Sequence, residues 1–106
     1  MIIDSHVNLH HEQYAGDVDA VLARASEAGV TGMITICDRL ENWPAVRAVA
    51  HKQSNIWCSV GVHPHYAKDF QNLEAGTLID LARAEPKVVG IGECGLDLYY
   101  THSPLD

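Results

Sequence analysis

Two hydrophobic patterns take turns along this chain: short continuous apolar runs, and apolar residues recurring every third or fourth position. Ile2-Ile3 opens a short strand that Asp4-Ser5-His6-Val7-Asn8-Leu9 closes. Behind Asp17, a natural N-cap, Val18, Val21, Leu22, Ala25 and Ala28 recur at helical spacing, and Gly29 supplies the stop. Val30 to Ile36 reads as a second strand ending at Cys37-Asp38. Asn42 can cap the next helix, with Pro44 in its first turn and Ala45, Val46, Val49 and Ala50 on its apolar face. Ile56 to Val62 is a third strand, ending at His63-Pro64-His65. After a loop, Leu78, Leu81 and Ala82 mark a third helix that Pro86 ends. Val88 to Ile91 is a fourth strand running into Glu93, and Leu98 to Asp106 reads as loop.

Strand and helix thus alternate, with strand starts about 25 to 32 residues apart, a spacing that suits parallel strands joined by right-handed helical crossovers. The period is one of pattern, without a sequence repeat. Two architectures fit: a small doubly wound sheet, or part of an eight-stranded α/β barrel.

Composition narrows the function more than the fold. The 106 residues are 47% hydrophobic and 20% charged, as in an ordinary single globular domain. The opening Met-Ile-Ile-Asp-Ser-His lacks the basic and apolar regions of a signal peptide, and no apolar run is long enough to span a membrane. Cys37, Cys58 and Cys94 are odd in number and far apart, which argues against a disulfide framework or a cysteine zinc site and for a cytoplasmic location. A net charge of −7, with seven basic residues scattered singly, is awkward for gripping nucleic acid. If phosphates bind, a metal must supply the positive charge.

Parallel strands share one C-terminal rim, and the chemistry collects there: His6 and Asn8, Asp38, His63 and His65, Glu93 and Asp97. His10, His11, His51 and His102 fall outside this grouping. In an extended segment His6 and Asn8 point the same way and can face one cation, although taken alone such a pair more often just hydrogen-bonds its own loop. His63-Pro64-His65 sets two imidazoles close together, either as a rigid turn or as a substrate contact. Glu93, after an apolar strand and between Gly92 and Gly95, is either a cation ligand or a solvated loop acid. Asp97 is either a partner orienting a histidine or a turn residue. Asp38 and Cys37 read as structural, and Trp43 and Trp57 as core or helix-face residues.

Asp4-Ser5-His6-Val7-Asn8-Leu9, Gly61-Val62-His63-Pro64-His65 and Gly90-Ile91-Gly92-Glu93-Cys94-Gly95-Leu96-Asp97 together resemble the TatD family of metal-dependent hydrolases, which belong to the amidohydrolase-like barrels. The resemblance covers essentially the whole chain and the first part of a family member. It implies the first four strands and three helices of a TIM-type (β/α)8 barrel, with residues 1–106 as the N-terminal part of one domain. It also implies a deoxyribonuclease-type phosphodiesterase that uses one or two divalent cations, Mg, Mn or Zn, to activate water. By position His6 matches the first histidine of the family's His-x-His, Asn8 stands where many members carry the second, and Glu93 matches the metal-binding glutamate. His63 and His65 match a motif lining the active-site mouth near the substrate phosphate.

Family members run to roughly the 250 residues of a full barrel. Their remaining ligands, two histidines and an aspartate that accepts the proton, lie in later strands, so no catalytic residue is assigned before Asp106. Weak metal binding by this chain in isolation is therefore expected, because a catalytic zinc site usually has three protein ligands. Half a barrel also leaves open strand edges and an uncovered inner face, which self-association would hide. The leading expectation is a hydrolase acting on DNA, at strand ends or on single strands. The alternatives are an inactive fragment or interaction module lacking the later ligands, and a barrel hydrolase of another ester, amide or phosphoester.

Overall fold

A computed structural model describes residues 1–106. The elements run β1 (Ile2–Val7), α1 (Val18–Glu27), β2 (Val30–Thr35), α2 (Trp43–Ala50), β3 (Ile56–Val60), α3 (Ala75–Ala84) and β4 (Val88–Ile91). Short 3-10 segments lie at Glu12–Tyr14, Leu40–Asn42 and Pro64–Phe70. All neighbouring strands pair in parallel, in the order β1-β2-β3-β4. A doubly wound sheet reverses direction at a switch point. Here each strand joins the next, which is how a barrel wall is built.

Several boundaries differ from the periodicity reading. β1 continues to Val7, because irregular pairing with β2 keeps the backbone extended past Asp4, so His6 lies inside the strand. Asp17 does not cap α1 through its side chain, which instead meets the Arg24 guanidinium at 3.2 Å. Asn42 does not cap α2 either; its amide donates to Asp38 Oδ1 at 2.9 Å, and the 3-10 turn before α2 places it there. The loop after β3 winds into the 3-10 segment that begins at Pro64.

Strand alternation divides the sheet into two unlike faces. One carries Met33, Ile56, Cys58 and Val60, buried against Leu22 of α1 and Val46, Val49 and Ala50 of α2, with Leu78, Leu81 and Ala82 of α3 packed alongside. The other carries Ile3, Val89 and Ile91, each about half exposed. Trp57 stands on this second face, partly exposed with the Lys87 ammonium 5.9 Å from its ring, whereas Trp43 is core. An apolar, uncovered face is what an inner barrel wall presents when its opposite wall is not there to meet it.

The C-terminal strand ends are tied crosswise by buried hydroxyls. Thr35 Oγ1 accepts from the Leu9 amide at 3.3 Å. Ser59 Oγ accepts from the Cys37 amide at 3.2 Å and donates to the Gly92 carbonyl at 2.7 Å. Gly92 N–H donates to Val60 O at 2.9 Å and Glu93 N–H to Cys37 O at 2.8 Å. Gly61 permits this convergence: a Cβ there would stand 2.5 Å from the Gly92 carbonyl carbon.

Candidate metal centre

Those ties deliver Glu93 to the middle of the rim. Its Oε2 lies 3.5 Å from His6 Nε2, and its Oε1 lies 3.2 Å from His63 Nε2. Residues from β1, from the end of β3 and from the end of β4 therefore meet at one carboxylate. Asn8 lines the same cavity together with His6, His63, His65 and Glu93.

The two histidines are not equivalent. His63 Nδ1 accepts a hydrogen bond from the His65 amide at 3.0 Å. That nitrogen is therefore the acceptor in the turn, which leaves Nε2 on the side of the ring facing Glu93 Oε1, 3.2 Å away. His63 thus stands beside the carboxylate, a contact that the motif reading, which placed it at the mouth, did not anticipate. No such bond engages His6, which is half exposed and has Nε2 turned toward the other carboxylate oxygen. An imidazole nitrogen, a carboxylate oxygen and a neighbouring amide side chain form a donor set that suits a divalent cation. The pair of His6 and Glu93 falls short of the three protein ligands usual for catalytic zinc.

His65 and Asp97 make a second pair. His65 Nε2 hydrogen-bonds Asp97 Oδ2, while Asp97 Oδ1 accepts the amides of Tyr99 at 2.9 Å and Tyr100 at 3.0 Å. Asp97 is therefore both turn former and histidine partner. The Tyr100 and Tyr99 amides, and then His65, hold its carboxyl below the usual carboxylate range.

The rim contains more than the sequence pointed to. His10 and His11, set aside as lying elsewhere, join Asp38: His10 Nε2 is 3.0 Å from Oδ1 and His11 Nε2 is 3.7 Å from Oδ2. The loop after β1 doubles back over the end of β2, with His11 N–H donating to Asn8 O at 3.2 Å. Burial would raise the Asp38 pKa, but the Asn42 amide and His10 outweigh it and the net shift is downward. Burial also lowers the His10 pKa, against the pull of Asp38, and so favours a neutral ring. Adjacent histidines at the start of a loop were the available signal; only the path of that loop shows that they meet Asp38. Cys37 and Cys58 stay protonated thiols, the latter pushed up to about 11 by burial.

Comparison with known proteins places this rim in a family. Residues 3–106 match the model described as TatD related DNase. The chain belongs to the TatD family. Among TatD relatives, the 3'-5' ssDNA/RNA exonuclease TatD of Shigella flexneri serotype 5b is 42% identical over 96 residues, covering 91% of this chain and 36% of that protein. The enzyme of the same description from Pantoea sp. At-9b is 43% identical over 106 residues, covering 99% of this chain and 40% of its own length. The crystal structure of YJJV, a TatD homolog from Escherichia coli K12, superposes with a TM-score of 0.75 at 30% identity, over 94% of this chain and 39% of that one. The chain thus spans well under half the length of the TatD proteins it matches, and it corresponds to the first four strands of a TatD barrel. No helix is long and apolar enough to cross a membrane.

Proposed function

We propose that residues 1–106 are the N-terminal part of a single hydrolase domain that cleaves phosphodiester bonds in single-stranded DNA, with His6, Asn8 and Glu93 holding a divalent cation. The approach of His6 to Glu93 across the sheet carries this reading. A bound Mg, Mn or Zn ion, or a pair of them, would polarise the phosphodiester and lower the pKa of the attacking water. His6 would contribute Nε2 and Glu93 Oε2, with the His63 imidazole set 3.2 Å from the other carboxylate oxygen, Oε1. His65, steadied by Asp97, lines the approach of the substrate together with His63. With a net charge of −7 the chain repels a polyanion overall, so attraction is confined to the cation's neighbourhood. That suits strand ends and single strands better than duplex DNA. The test is cleavage of end-labelled single- and double-stranded oligonucleotides by tag-free protein with each metal. Metal-dependent cleavage that disappears in Glu93→Ala supports the proposal, and cleavage indifferent to that substitution overturns it.

A second reading, a non-catalytic interaction module, is favoured by the uncovered apolar face and by the small donor set around Glu93. It expects self-association through Ile3, Val89 and Ile91, seen by light scattering, and no turnover with any metal.

A further inference from the structure

We propose that His10, His11 and Asp38 form a second cation site, suited to a zinc-class transition metal and distinct from the His6–Glu93 pair. One donor atom from each of the three residues lies within 4.8 Å of the others. Two donors bound to one tetrahedral zinc ion at ordinary bond lengths stand roughly 3.3 Å apart. The His10 Nε2–Asp38 Oδ1 and His11 Nε2–Asp38 Oδ2 separations, 3.0 and 3.7 Å, bracket that value, one carboxylate oxygen turned to each imidazole. Two imidazoles and one carboxylate are a known zinc ligand set, leaving a fourth position for water or substrate.

The use made of each atom separates a site from a mere loop anchor. Asp38 Oδ1 already accepts the Arg39 amide at 2.9 Å, the Asn42 side chain at 2.9 Å and His10 at 3.0 Å. Oδ2 accepts no hydrogen bond; it faces His11 at 3.7 Å, beyond hydrogen-bonding range. A loop anchor needs only the first oxygen. The His10 side chain is 2% exposed, yet its Nδ1 has no hydrogen-bond partner. That nitrogen lies on the side of the ring away from Asp38, so the ligand His10 would offer the ion is Nε2. His11 is 41% exposed, which opens the cluster to entry from solvent.

His11 and Asp38 line the same cavity as His6 and Glu93, so the two cation positions would be neighbours on one rim. The second site draws only on the loop after β1 and the end of β2, and so requires none of the later family ligands.

The experiment is zinc binding by calorimetry and cobalt binding by visible absorption, on tag-free 106-residue protein. Three chains are compared: the natural sequence, Glu93→Ala, and Glu93→Ala with His11→Ala. The Glu93→Ala chain is expected to keep one zinc ion, and adding His11→Ala to weaken its binding at least tenfold and diminish the cobalt bands. Asp38→Asn in the Glu93→Ala background, checked for an unchanged circular dichroism spectrum, should weaken binding likewise. A Glu93→Ala chain that binds no zinc, or binding unchanged by His11→Ala, overturns the proposal. Failure of the His6–Glu93 reading looks different: stoichiometry would then be the same with and without Glu93.

Discussion

Glu85 and Glu93 sit at opposite ends of the sheet and show what separates a structural acid from one left available. Glu85, before β4, has a side chain 4% exposed and takes Arg47 Nε and His51 Nε2 at 2.7 Å and the Lys87 amide at 3.1 Å. Those hydrogen bonds, from His51 first and then Arg47, pull its pKa down to about 2. Lys87 closes the same end by donating to the carbonyls of Gln53, Ser54 and Ile56. Glu93 is 31% exposed and faces two imidazoles at 3.2 and 3.5 Å, with no Lys or Arg in its ion pairs. The chain satisfies one carboxylate completely and leaves the other short of partners. Unmet acceptor capacity beside imidazole nitrogens is what a cation site requires.

The contrast can be broken from either side. The largest effect is expected from Glu93→Ala, which should cut metal-dependent cleavage by about a hundredfold or more while moving the melting temperature little; oligonucleotide assays and thermal melts check both. Gly61→Ala comes next. Its Cβ meets backbone at the Gly92 carbonyl, which cannot swing aside, so the strand ends must part at a cost of about 3 kcal/mol, measured by urea unfolding. Glu85→Gln should do the reverse of Glu93→Ala, lowering stability by about 2 kcal/mol with little change in metal binding; the exposed partners Arg47 and His51 keep the loss below that of a fully buried pair.

Acid sharpens the same comparison. With its ordinary value at 4.5 and its folded value at about 2, Glu85 takes up a proton in the unfolded chain before it does in the folded one. Its contribution is complete above about pH 4.5 and is lost as the pH falls toward 2. Stability measured at steps across that window should therefore fall less steeply in Glu85→Gln. The smallest effect belongs to His63→Ala, which frees Glu93 Oε1 and should weaken metal binding about tenfold, read by calorimetry, without removing it.

The two faces of the sheet repeat the lesson on a larger scale. Where helices cover it, Ile56, Cys58 and Val60 are fully buried. Where nothing does, Ile3, Val89 and Ile91 keep about half their surface in water. Their apolar character was already plain in the sequence. Which of them would find partners depended on the helices' positions.

By itself the sequence determined the alternation of strand and helix, the start of each strand, and the placing of His63 and Glu93 just past strand ends. These follow from periodicity and from glycine and proline, which act over a few residues. Only the tertiary structure decided that His10 and His11 reach Asp38, that Asn42 serves that carboxylate instead of its helix, and that His63 comes up beside Glu93. Those contacts join residues far apart in the chain, and they depend on strand register and loop path, which hydrophobic spacing does not encode.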